Sequence, residues 1–139
     1  MSEPTNKLSI SKIVDAGLRI LFGFAFLAFG LMGFLHPMTP PPDLAPAAKA
    51  FDEALAASGY MMPLIFGTQI FVGVLCLANR FVPLALVVVF PFLLNSVLFH
   101  IFLEPTGLPF AGIFGLLNLY LAWSHRKAYA SLLTAKLAG

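Results

Sequence analysis

Long apolar runs separated by short polar or proline-marked gaps dominate this chain. Four of them approach the roughly 20 residues that a helix needs to cross a bilayer at 1.5 Å per residue: 18–35, 60–78, 83–103 and 108–123. None alternates with period two, and four segments cannot close a barrel. Helix is therefore the expected state, because hydrocarbon leaves no partner for an unpaired backbone group. Pro63, Pro83 and Pro109 stand near helix starts, where a missing N–H goes unnoticed. The gaps at 79–82 and 104–107 are so short that spans two, three and four must run as antiparallel neighbours. The expected fold is all-α: an integral membrane four-helix bundle.

The longest connection, 36–59, divides in two. Residues 36–46 carry Pro37, Pro40, Pro41, Pro42 and Pro46, and predict an extended, stiff strap. Residues 47–58 place Phe51 and Leu55 at i and i+4 among Lys49, Asp52 and Glu53. That pattern predicts a short amphipathic helix, stopped by Gly59, lying apolar side down as a lid on the outer face.

Composition agrees with lipid as the solvent. The chain is 60% hydrophobic and 10% charged, where a wetted surface needs about a quarter charged residues. No run of basic residues exists to hold nucleic acid, which is excluded as a partner. Basic residues cluster instead on one side. Lys7, Lys12, Arg19, Arg80, Arg126, Lys127 and Lys136 all fall there, and only Lys49 falls on the other, with Asp43, Asp52, Glu53 and Glu104. The positive-inside rule then puts a segment 1–17 and a basic tail 124–139 in the cytoplasm, flanking a transmembrane domain 18–123. A bacterial-type inner membrane is the expected location. The first apolar run exceeds a signal-peptide core and no A-x-A site follows it, so it reads as a span. Tyr60, Tyr120 and Trp123 sit where aromatic belt residues do. Cys76, the lone cysteine, allows no internal disulfide or dithiol pair.

Polar groups inside the spans are the candidate chemistry, since each is expensive there. Gln69, Asn95 and Asn118 each lie about 12–13 Å from the outer end of their helix, so three amides share one level near the midplane. They can serve as cross-helix glue, or they can line a cavity that binds a polar headgroup or carbonyl. Pro91, one turn before Asn95, is expected to kink the third span and free the carbonyl of Val87. Ser96, His100 and Glu104 form a stripe at i, i+4 and i+8. His100 can accept a proton, donate to a quinone oxygen or reach up to water. It lies about 140° around the helix from Asn95, so one pocket holds both only across a broad inner face. His36 and His100 share a side, as a b-type haem or metal site requires, but ligand spacing is absent and haem and metal are set aside. Gln69, Gly73 and Cys76 stripe the second span, and Gly23, Gly30, Gly33, Gly112 and Gly115 suit close helix contact. Arg19 and Asp15, four apart, suggest an interfacial ion pair.

These marks together resemble the DoxX-like family of small four-helix membrane proteins. The similar stretches are Arg19-Ile20-Leu21-Phe22-Gly23 with Gly30 and Phe34, then Gln69 to Leu75, Arg80 to Leu86, and Pro91 to His100. The resemblance runs from Leu18 to Trp123. It implies a membrane subunit of a redox system, of the kind associated with thiosulfate:quinone oxidoreduction, with a quinone or another lipophilic small molecule as ligand. An animal branch implies assembly of receptor channels instead. Ligand-binding residues are expected among His100, Asn95, Gln69, Asn118 and Ser96. The alternative is a non-catalytic scaffold for a partner membrane protein or a second copy of the chain, because no nucleophile–base pair of recognisable spacing is present. A channel ranks last, for want of an ion path.

Overall fold

The structure is a computed structural model and describes residues 9–36 and 39–136. Lys7 and Pro37 lie outside them. The described residues form helices and connections, with no strand. Five α-helices follow in order: α1 (Ile10–Leu35), α2 (Pro46–Ala57), α3 (Met61–Leu77), α4 (Val82–Phe102) and α5 (Leu108–Ser124). Short 3-10 turns occupy Pro105–Gly107 and Arg126–Tyr129. Three helices are long and apolar enough to cross a membrane: α1, α4, and α5 with the 3-10 turn before it. At 17 residues, or about 25 Å, α3 meets that measure only together with α2, from which it is bent by 87°.

Boundaries differ from the apolar runs where polar residues extend a helix. α1 starts at Ile10, two turns before residue 18, because the Ser9 side chain accepts from the Lys12 N–H and caps the helix inside the polar segment. Between α1 and α2 the proline-rich connection is not wholly extended, since Leu44 N–H donates to the Pro41 carbonyl at 3.1 Å and closes a turn. Gly59, at φ 78°, follows α2 and takes the left-handed conformation there. The tail is also more structured than its composition suggests. Tyr129 Oη donates to the Pro83 carbonyl at 2.9 Å and ties the segment after α5 to the start of α4.

α1 and α3 pack most extensively, and glycines set their separation. A Cβ on Gly73 would lie 2.5 Å from the Leu27 amide nitrogen and 2.7 Å from the Gly23 carbonyl oxygen. A Cβ on Gly30 would lie 2.7 Å from the Phe66 carbonyl oxygen. Backbone thus meets backbone along this pair. Gly112 and Gly115 behave differently: nothing lies within 4 Å of a Cβ on Gly112, and only Val97 at 3.6 Å comes near one on Gly115. The buried core draws on all four long helices, with Phe22, Phe26, Val72, Leu86, Val89, Leu93 and Leu121 among its members.

At the basic end, α3 closes with a Schellman motif. Arg80 N–H donates to the Leu75 carbonyl at 3.0 Å, and Asn79, at φ 53°, supplies the left-handed residue. Arg19 does not pair with Asp15 as its spacing suggests. Its guanidinium reaches across and donates to the Cys76 carbonyl, while Asp15 Oδ1 accepts from Tyr120 Oη at 2.5 Å. The cation sits where the last carbonyls of α3 leave the negative end of its dipole, a better partner than an exposed carboxylate one turn away. Arg19→Ala is expected to destabilise the folded protein by about 1–2 kcal/mol, and Arg19→Lys by less. Unfolding in mixed detergent micelles, followed by circular dichroism, reads the difference. An unchanged midpoint for Arg19→Ala would show the contact to be idle.

Candidate functional site

Gln69 stands at the middle of α3, eight residues from each end. Its neighbours at i+3 and i+4, Val72 and Gly73, face the core, and the 3.6-residue period turns Gln69 inward with them. It is 6% exposed, and among the described residues its Oε1 has no hydrogen-bond partner. Such an atom is rare, because burying an unmet acceptor costs about 1–3 kcal/mol.

The Gln69 amide lines a cleft of about 80 Å³ between all four long helices. α4 contributes Ser96, Phe92 and Leu93, α1 contributes Phe26 and Phe29, and α5 contributes Phe110, Ala111 and Phe114. The phenylalanines form one connected set. Phe26 meets Phe114 edge to face at 5.8 Å and Phe92 at 6.3 Å, and Phe29 meets Phe110 at 5.8 Å. Edge-to-face rings hold such a wall in a defined shape. The interior is therefore aromatic, with an amide and a hydroxyl as its polar groups.

The other predicted residues lie elsewhere. Asn118 is 1% exposed and donates from Nδ2 to the Leu86 carbonyl at 3.1 Å, joining α5 to α4. Asn95 is exposed and lines a separate recess beneath Phe51 of α2, together with Phe99 and Phe102. Asn95 is turned about 100° from Ser96 around α4 and opens on that recess rather than on the cleft. The three amides share a depth but not a pocket. α4 stays helical through Pro91, and Pro91 and Asn118 border a common groove.

His100 lies one turn beyond Ser96 on the same stripe, outside the cleft lining. Its Nδ1–H donates to the Glu104 carbonyl at 2.8 Å and to Glu104 Oε2 at 3.1 Å. Glu104 in turn accepts from the Gly107 N–H at 3.1 Å and from Thr106, capping the 3-10 turn before α5. A Cβ on Gly107 would run into the imidazole, so a larger residue there would displace the His100 ring. His36 borders a different, open cleft of about 520 Å³ with Thr39, Asp52, Glu53 and Met62, where burial pushes the Asp52 carboxyl above its usual range. Among the described residues no three His, Cys, Asp or Glu side chains are grouped to hold a metal. Phe51 of α2 meets Phe99 of α4 at 5.5 Å with the rings tilted by 47°, which brings α2 against the end of α4.

No family model, no curated protein and no solved structure matches the chain. Function is read from the site itself. The walls of that site carry the residues that sequence reasoning passed over. Phe26 with Phe29, and Phe110 with Phe114, sit at i,i+3 and i,i+4. That spacing puts each pair on one helix face, and it was the available signal.

Proposed function

We propose that the protein is a four-span integral membrane protein that holds the polar head of a lipophilic small molecule between Gln69 and Ser96. Lipid exposure is supported by the outer faces of the helices. Phe24, Phe71, Phe90, Ile113 and Leu116 all stand exposed, far more apolar surface than a water-soluble monomer leaves bare. With α2 lying along the membrane surface, α3 becomes the fourth, shorter span, which local bilayer thinning can accommodate. Arg19, Arg80, Arg126 and Lys127 gather at one end, where Trp123 lies under the Arg126 guanidinium at 4.8 Å. This supports both termini on the cytoplasmic side of an inner membrane.

The orphaned Gln69 oxygen carries the ligand reading. A buried acceptor with no donor among the described residues, on a side chain that lines one aromatic cleft together with Ser96, is what a site for a polar head would present. The resemblance to DoxX-like proteins adds a quinone to the candidates and a redox complex as the setting. Purification in mild detergent followed by solvent extraction and mass spectrometry tests the reading. A stoichiometric lipophilic molecule is expected with the wild type and is expected to be lost from Gln69→Leu. Phospholipid alone in both preparations would sink it.

A scaffolding role is the second reading, favoured by one feature. The α4–α5 face carries an apolar groove of about 310 Å³ along Gly112, Gly115, Leu94 and Val97 that the described residues leave open. A partner helix or a second copy would fit there. Crosslinks from Leu116 in native membranes that trap a partner would favour this role.

A further inference from the structure

Resting on the reading of the Gln69 cleft as a ligand site, we infer that its ligand is a neutral, slender lipid ending in a single hydroxyl, entering sideways between α1 and α5. Three observations carry this. The first is size. A cleft of about 80 Å³ is roughly half the volume of a 150 Å³ apolar cavity that takes up benzene. That leaves little room beside Gln69 for a substituted six-membered ring and favours a CH₂–OH terminus with methylenes behind it.

Hydrogen-bond logic is the second. A carboxamide offers an acceptor and two donors, and serine offers a donor and an acceptor. A carbonyl head accepts only, so it leaves Gln69 Oε1 without a donor, as it is now. A hydroxyl donates to Gln69 Oε1 and can accept from Ser96 Oγ–H, so one atom supplies the missing donor and engages both polar side chains of the cleft. A charged head is disfavoured because, among the described residues, no ionisable side chain lines the cleft, and an ion there would have apolar walls with one amide and one hydroxyl.

The third observation is the route. Of the lining side chains, Phe29 and Phe110 stand out for exposure, at 38% and 56%, on helices whose mutual contact is slight beside that of α1 with α3. Their rings, 5.8 Å apart, close a seam that opens toward the surroundings of the bundle. A hydrocarbon tail leaving between them would lie along the lipid-facing side of α1 and α5, so the head alone is enclosed.

Binding of radiolabelled 1-hexadecanol to the full-length protein in nanodiscs, with an alkyl benzoquinone of equal tail length as competitor, tests the inference. Hexadecanol is expected to bind the wild type and to resist displacement by the quinone. Gln69→Leu and Ser96→Ala should each weaken it about five- to tenfold, the loss of one hydrogen bond. If the quinone binds in a Gln69-dependent way and the alcohol does not, the hydroxyl inference is overturned while the ligand site stands. If neither binds, or binding ignores both substitutions, the inference and the site reading fall together. Ser96→Ala removes a single oxygen, so its result does not depend on how the cleft tolerates leucine.

Discussion

Gly73→Ala unfolds more easily than the wild type, by about 1–2 kcal/mol, although alanine is the better helix former by about 1 kcal/mol. The added methyl has nowhere to go. It meets the Leu27 amide nitrogen at 2.5 Å and the Gly23 carbonyl oxygen at 2.7 Å, both backbone atoms that cannot swing aside as a side chain would. Relief requires α1 and α3 to separate, and that loosens the most extensive helix pair of the fold, including the contacts at Gly30 and Gly33. Gly73→Leu should prevent assembly of the pair altogether. Gly112→Ala is the matched control, since nothing lies within 4 Å of its added methyl. It is expected to be neutral or up to about 1 kcal/mol stabilising, from propensity alone. The midpoints of sodium dodecyl sulfate titrations, read by circular dichroism, separate the two variants. Equal midpoints would mean that α1 and α3 do not approach this closely.

The two glycines look alike in sequence, and that likeness marks where sequence reading stops. Apolar runs with proline starts predicted four long helices and a short one to within about two residues at most boundaries. Outward-facing and core-facing sides of these helices alike are apolar, so the runs needed no knowledge of packing. The start of α1 escaped because a helix can outlast its apolar run when a cap such as Ser9 is available. Which glycines face a neighbour escaped too. Inside a bundle whose outside is also apolar, hydrophobicity no longer tells inside from outside, and Gly112 reads the same as Gly73. Arg19 shows the same limit for charge. Spacing within one helix pointed to Asp15, whereas the stronger partner was the end of a helix 57 residues away.

Depth along a span was legible for the candidate site, and azimuth was not. Gln69, Asn95 and Asn118 fall at one level by helix rise, yet only Gln69 joins the aromatic cleft. Asn118 spends its amide on the Leu86 carbonyl, and Asn95 turns outward under α2. The stripe Ser96–His100–Glu104 was legible, because i,i+4 spacing holds whatever the packing. It splits by role: Ser96 meets the cleft, and His100 with Glu104 fastens the turn into α5.

Replacing Gln69 by leucine should stabilise the ligand-free protein by about 1–3 kcal/mol, against the usual direction for a buried substitution. Leucine is close to glutamine in volume, so the change leaves the phenylalanine walls in place and removes an acceptor that no described residue satisfies. The sign is diagnostic. An amide bonded across helices would lose about 0.6 kcal/mol on the same substitution, as such bonds do in membrane bundles. Delipidated protein in a mild detergent, titrated to unfolding, reads the sign directly. A destabilised Gln69→Leu would mean that the amide is already satisfied and the cleft is only packing. Ligand should then narrow the gap between the two proteins. A ligand at 100 times its wild-type dissociation constant stabilises the wild type by about 2.7 kcal/mol, and a variant that binds it about five- to tenfold more weakly by only about 1.4–1.8 kcal/mol. An amide kept in the core at the expense of stability, and repaid only when a head group arrives, is the signature of a residue retained for binding.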